Sequence, residues 1–158
     1  MAATVLVAEP ALSGCASLAN RAPRPDPLES PARRAEADAV LAQAVGQAMA
    51  QTHPELAGAA RALAADRTAH ATALRAELLR VRPGMAAGAT PQPVSSPPAV
   101  PPAALASPVE ARAALSQAVR AAQGEATTLV ISSGLPGYRA ALLGSVAACC
   151  ASHGVLLR

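Results

Sequence analysis

The sequence predicts an all-α fold: a four-helix bundle made of two helical hairpins joined by a long Pro-rich crossover, behind a disordered or extended N-terminus. Three observations carry this. Alanine, the best helix former, is abundant, and β-branched residues are sparse outside the two ends and the linker. There is no Phe and no Trp, and Tyr138 is the single aromatic residue, so the core must come from Ala, Leu and Val in closely packed helices. Finally, Leu56, Ala60, Leu63, Arg67, His70, Leu74, Leu78 and Val81 recur at steps of three and four, which lines them along one face of a long helix from Pro54 to Arg82. A chain of 158 residues suits one domain.

Residues 1–15 end in Leu12-Ser13-Gly14-Cys15, an aliphatic, small, small, cysteine order that resembles the bacterial lipobox. In that motif small residues fit the peptidase cleft and the thiol accepts the acyl group. Two features depart from the signal-peptide pattern: no Arg precedes Cys15, and Glu9-Pro10 interrupts a short apolar run, so the expected true start lies upstream of the one written here. Residues 16–29 read as a polar, Pro-rich tether in which Arg21 and Arg24 can meet anionic headgroups.

The first hairpin occupies residues 30–83. Ser30-Pro31 gives an N-cap followed by proline at the first helical position, and the helix should run to about Gln51. Its expected inner stripe is Ala37, Val40, Leu41, Ala44, Val45, Ala48 and Met49, with Asp38 and the other charged residues mostly outward. Thr52-His53-Pro54 breaks the chain and starts the long helix, which Pro83-Gly84 ends. Residues 84–107 form a linker with six prolines and almost no charge. The second hairpin, 108–158, opens on a repeated Ser-Pro signal, with its first helix beginning at Glu110 or Ala111. That helix carries the stripe Val109, Ala113, Leu115, Ser116, Val119, Ala122, Ala126 and Leu129, and turns at 132–137. The last helix, from Tyr138 to about His153, aligns Tyr138, Leu142, Val146, Cys149 and His153, with Gly144 and Ser145 allowing close approach of a neighbour.

Composition argues against several activities. The thirteen basic residues are all Arg, dispersed among ten acids for a net charge of +3. Without a clustered basic face or aromatic platforms, nucleic-acid binding is not expected. No Glu-x-x-His occurs and the histidines are only His53, His70 and His153, so a diiron carboxylate centre is not expected. Neither a CxxC nor a nucleophile-elbow motif is present. No catalytic residue, metal site or cofactor is therefore assigned, and the protein is not expected to be an enzyme. His70 and Arg67 on the apolar seam, with Tyr138 and His153, form the candidate ligand or buried polar site. Tyr138 and Asp38 are the expected partners of His70, and Arg67 either balances an acid or snorkels out along its stem. Cys149 and Cys150 are expected to pack as small apolar groups.

The LSGC segment, the RPDPLE tether, ADAVLAQAV, DRTAHATALRAEL and the terminal GYRAALLGSVAACCASH together resemble a family of alanine-rich actinobacterial proteins. Members of that family look like exported lipoproteins of unknown function, encoded near proteins with a ferritin-like fold. The resemblance implies a lipid-anchored, non-enzymatic bundle on the outer face of the cytoplasmic membrane. Its implied partners are the membrane surface, met through acylated Cys15, and an envelope protein. The alternatives are a degenerate ferritin-like bundle that binds a metal or small ligand through His70 and His153, and a cytoplasmic helical protein if the start as written is the true one.

Overall fold

Four helices form in a computed structural model that describes residues 25–81, 100–101, 105–132 and 134–158. They are α1 (Glu29–Ala48), α2 (Pro54–Val81), α3 (Pro108–Ser132) and α4 (Gly137–Leu156), and no strand occurs among the described residues. The expectations for Cys15, residues 16–24 of the tether and most of the crossover fall outside them; the last residues of the expected tether instead pack on the bundle, with Leu28 fully buried and Glu29 opening α1.

Each helix starts for a local reason. The Asp26 carboxylate accepts the Leu28 amide at 2.9 Å and the Asp26 carbonyl accepts Glu29 N–H, so α1 begins before Ser30. Ser30 is thus not the cap: its hydroxyl is already inside the helix and meets Glu125 instead. Pro54 opens α2 as expected, with the His53 carbonyl accepting Ala57 N–H. Ser107 caps α3, its Oγ accepting the Glu110 amide and donating to the Glu110 carboxylate. Gly134 takes a left-handed φ of 57° in the turn before α4.

The helices run up, down, down, up. At one end Glu125, near the end of α3, meets Ser30 and Arg34 on α1, while Arg139, at the start of α4, bonds Asp26 and Glu77. At the other end Arg112 reaches the Arg158 carbonyl. Helices α1 and α2 pack most extensively, as do α3 and α4; the pairs α1–α3 and α2–α4 close the ring. The two hairpins are therefore antiparallel pairs laid side by side, with the end of α2 and the start of α3 at opposite ends of the bundle.

The core is aliphatic. Leu28, Leu63, Leu74, Leu115 and Leu143 are fully buried with Val45, Val119, Val146 and Cys150 among many alanines. The α2 seam follows the sequence expectation except at its exposed end, Val81. In α1 the buried stripe is instead Ala32, Ala35, Asp38, Ala42, Val45 and Met49, because a charged partner on α2 draws Asp38 inward. In α3 Val109 is 75% exposed and Ala111 is buried in its place, and the helix starts at Pro108, earlier than expected. In α4 the inward face is Arg139, Leu143, Val146, Cys150 and His153, a slight rotation that leaves Tyr138 66% exposed.

Close approach occurs at Gly46 and not at Gly144. A Cβ on Gly46 would lie 3.0 Å from Arg61 Cγ and 3.4 Å from the Ala57 carbonyl, whereas one on Gly144 or Gly124 would meet nothing within 4 Å. We expect Gly124→Ala and Gly144→Ala each to stabilise the protein by about 0.5–1 kcal/mol through helix propensity. Gly46→Ala should gain nothing or lose stability, as measured by thermal unfolding; a gain there equal to the other two would contradict the packing described.

Candidate functional site

Arg67 lies at the centre of the bundle with 1% of its surface exposed. Its guanidinium Nη2 donates to Asp38 Oδ2 on α1 at 2.9 Å, and Nη1 lies 3.2 Å from His70 Nδ1 and 3.7 Å from Cys150 Sγ on α4. A guanidinium only donates, so His70 Nδ1 accepts and the imidazole is neutral with its proton on Nε2. Burial, followed by the Arg67 charge, pulls the His70 pKa down in the same sense. Burial pushes the Asp38 carboxyl above its ordinary value while Arg67 pulls it back. Arg67 Nε is buried with no hydrogen-bond partner among the described residues.

Beside this cluster, facing outward between α2 and α4, Asp66 Oδ2 lies 2.7 Å from His153 Nε2 and 3.6 Å from Cys149 Sγ. The spacing is local in origin: Cys149 and His153 are one turn apart on α4, and Asp66 precedes the inward-pointing Arg67 on α2. The hydrogen bond from His153 holds the Asp66 carboxyl below its ordinary value. Burial and then the Asp66 charge push the Cys149 thiol up to about 11, so it is a protonated donor at neutral pH.

The third polar group closes the end of the bundle. Arg139 Nη2 donates to both oxygens of Asp26 at 3.1 and 2.9 Å, and its Nε donates to Glu77 Oε1 at 3.1 Å. Arg80 grips the same Glu77 through two bonds.

No family model, curated protein or solved structure matches this chain. The site therefore rests on its own geometry. Of the residues expected in one polar cluster, Arg67 and His70 are in contact, and His153 joins the neighbouring Asp66 group. Tyr138 belongs to neither, because its position at the first turn of α4 turns it to solvent at the far end. Arg67 itself, not Tyr138 or Asp38, is the partner of His70, and Asp38 is reached through it. Sequence reasoning missed Asp26, Glu77 and Arg139. The signal available was Glu77 on the α2 seam, three residues after Leu74, and Arg139 four before Leu143, both in phase with buried leucines.

Removing one member of a buried pair strands the other charge. Asp38→Ala should cost about 3–5 kcal/mol in urea unfolding, and Asp38→Leu with Arg67→Met should recover most of it. A double variant as unstable as Asp38→Ala would refute the pairing as the source of the cost. Glu77 has a different signature. The Arg80 hydrogen bonds, ahead of other causes, hold its carboxyl below the ordinary 4.5. A lowered folded pKa means stabilisation that is complete above 4.5 and lost as pH falls through the folded value. Glu77→Gln should lower the thermal midpoint at pH 7, with the gap to wild type closing as the pH drops below 4.5.

Proposed function

We propose that the protein is a non-enzymatic helical module of the bacterial cell envelope, tied to the membrane surface by acyl chains on Cys15 and serving a binding or scaffold role. The observation that carries this reading is the apolar character of one end of the bundle. Leu79 and Val81 at the end of α2, Val130 and Ile131 at the end of α3, and Tyr138 at the start of α4 are all exposed there, Ile131 at 80%. The chain enters the bundle at that same end, where Asp26 is held by Arg139. About ten residues separate Cys15 from Pro25, a span of at most about 36 Å. An anchor on Cys15 would thus keep this end near the lipid, where a tyrosine is at home at the headgroup level. The opposite end also exposes Val109, Val155 and Leu156, and the tether is what distinguishes the two.

Helix α4 is long and apolar enough to cross a membrane by length and composition. Its buried Arg139, paired with Asp26 and Glu77, supports reading it as a core helix. A second reading, a ferritin-like bundle that binds a metal or small ligand between its helices, draws on the up-down-down-up order with one long crossover, the connectivity of ferritin-like folds.

Expression in a related bacterium with the natural upstream DNA tests the anchor. Wild-type protein should begin at Cys15, carry acyl mass and enter the detergent phase on partitioning, and Cys15→Ala should stay in water. Protein that retains Met1 and remains aqueous would end the envelope reading and leave a cytoplasmic helical protein.

A further inference from the structure

We infer that Asp66, Cys149 and His153 form a binding site for a zinc-like divalent cation that staples α2 to α4. Their donor atoms all lie within 4.8 Å of one another. One thiol, one imidazole and one carboxylate are the donor mixture that zinc takes, and a softer set than magnesium or calcium would select. In a tetrahedral centre with zinc–sulfur near 2.3 Å and zinc–nitrogen or –oxygen near 2.0 Å, sulfur and oxygen stand about 3.5 Å apart and nitrogen and oxygen about 3.3 Å. The observed sulfur–oxygen distance of 3.6 Å already fits. The imidazole–carboxylate distance of 2.7 Å must open by about half an ångström.

Asp66 can open that distance, and the Cys149 and His153 donors, within 4.8 Å of each other on α4, close on the ion to about 3.5 Å. The Asp66 side chain is 49% exposed, while that of His153 is 8% exposed and held against the core. The outward face of Asp66 leaves a fourth position for water. His70, one turn after Asp66, stands nearby but keeps its Nδ1 on Arg67, so it is not required. On binding, the Cys149 S–H bond breaks and a sulfur–metal bond forms, releasing one proton to solvent. The proton on a neutral His153 moves from Nε2 to Nδ1, freeing Nε2 to ligate.

The site joins the first hairpin to the second, which otherwise meet through less extensive contacts than those within each hairpin. It is independent of acylation, and the test uses full-length Cys15→Ser so that the two ideas fail separately. Cobalt(II) titrated into metal-free protein should bind one ion per chain. It should show the visible bands of tetrahedral cobalt together with the near-ultraviolet sulfur-to-cobalt charge-transfer band, and zinc should displace it. Cys149→Ser should abolish the charge-transfer band. His153→Gln and the more exposed Asp66→Asn should weaken binding by more than the roughly 10–100-fold that loss of a residue supporting a ligand costs, with circular dichroism confirming that the helices persist. Zinc should also raise the thermal midpoint of the parent and leave that of Asp66→Asn unchanged. Absence of the charge-transfer band, its survival in Cys149→Ser, unweakened binding by folded Asp66→Asn, or one ion shared by two chains would each overturn the proposal.

Discussion

The largest side chain fully buried among the described residues is an arginine. In a core without Phe or Trp, the stem of Arg67 fills volume that a ring would otherwise take, but its head then has to be matched inside the bundle. The match comes from three directions: Asp38 on α1, His70 on the same helix, and Cys150 on α4. One guanidinium therefore fixes how three of the four helices are rotated. The inward turn of Asp38 carries Ala35 and Ala42 with it into the interface, and displaces Val40 and Leu41 to its flanks.

An alanine-rich helix face is nearly featureless, and sliding it along its neighbour changes little apolar contact. Directional polar contacts are what distinguish one register from another. The Arg67 group does this at mid-height, and the Asp26–Arg139–Glu77 group does it at the end where α1 begins, α2 finishes and α4 starts. Both groups cross from the first hairpin to the second. Glu125 with Ser30 and Arg34 makes the matching tie between α3 and α1. Within the α1–α2 hairpin the Arg67–Asp38 and Arg75–Glu36 pairs act beside packing by size, where Gly46 lets the backbone of α2 come close.

The same physics decides what was legible in the sequence. The seam of α2 could be read as far as Leu74 because leucines at steps of three and four have no competing explanation, and the Ser107 cap could be read because its Glu110 partner is local. The bundle architecture followed from those elements and from the length of the linker. The rotation of α1 and α4 could not be read, because a charged residue is assigned outward unless its partner is known, and the partners of Asp38 and Arg139 lie on other helices. Tyr138 misled for the opposite reason: its spacing put it in line with Leu142 and Val146, yet at the first turn of α4 the inward position belongs to Arg139. At α1, the start signal at Ser30-Pro31 was overridden by an earlier turn built on Asp26.

Between the hairpins, α2 presents Asp66, Arg67 and His70 to Cys149, Cys150 and His153 of α4. This polar seam has two halves. In the inner half Arg67 is sealed from solvent and engaged with Asp38, and any exchange of its partners would leave a buried charge bare. In the outer half Asp66 is half exposed, so its carboxylate can trade a histidine hydrogen bond for another contact while water makes up the difference. The inner half holds the seam in register, and that fixed register is what keeps Cys149, His153 and Asp66 converging at a distance where a shared ligand can reach all three.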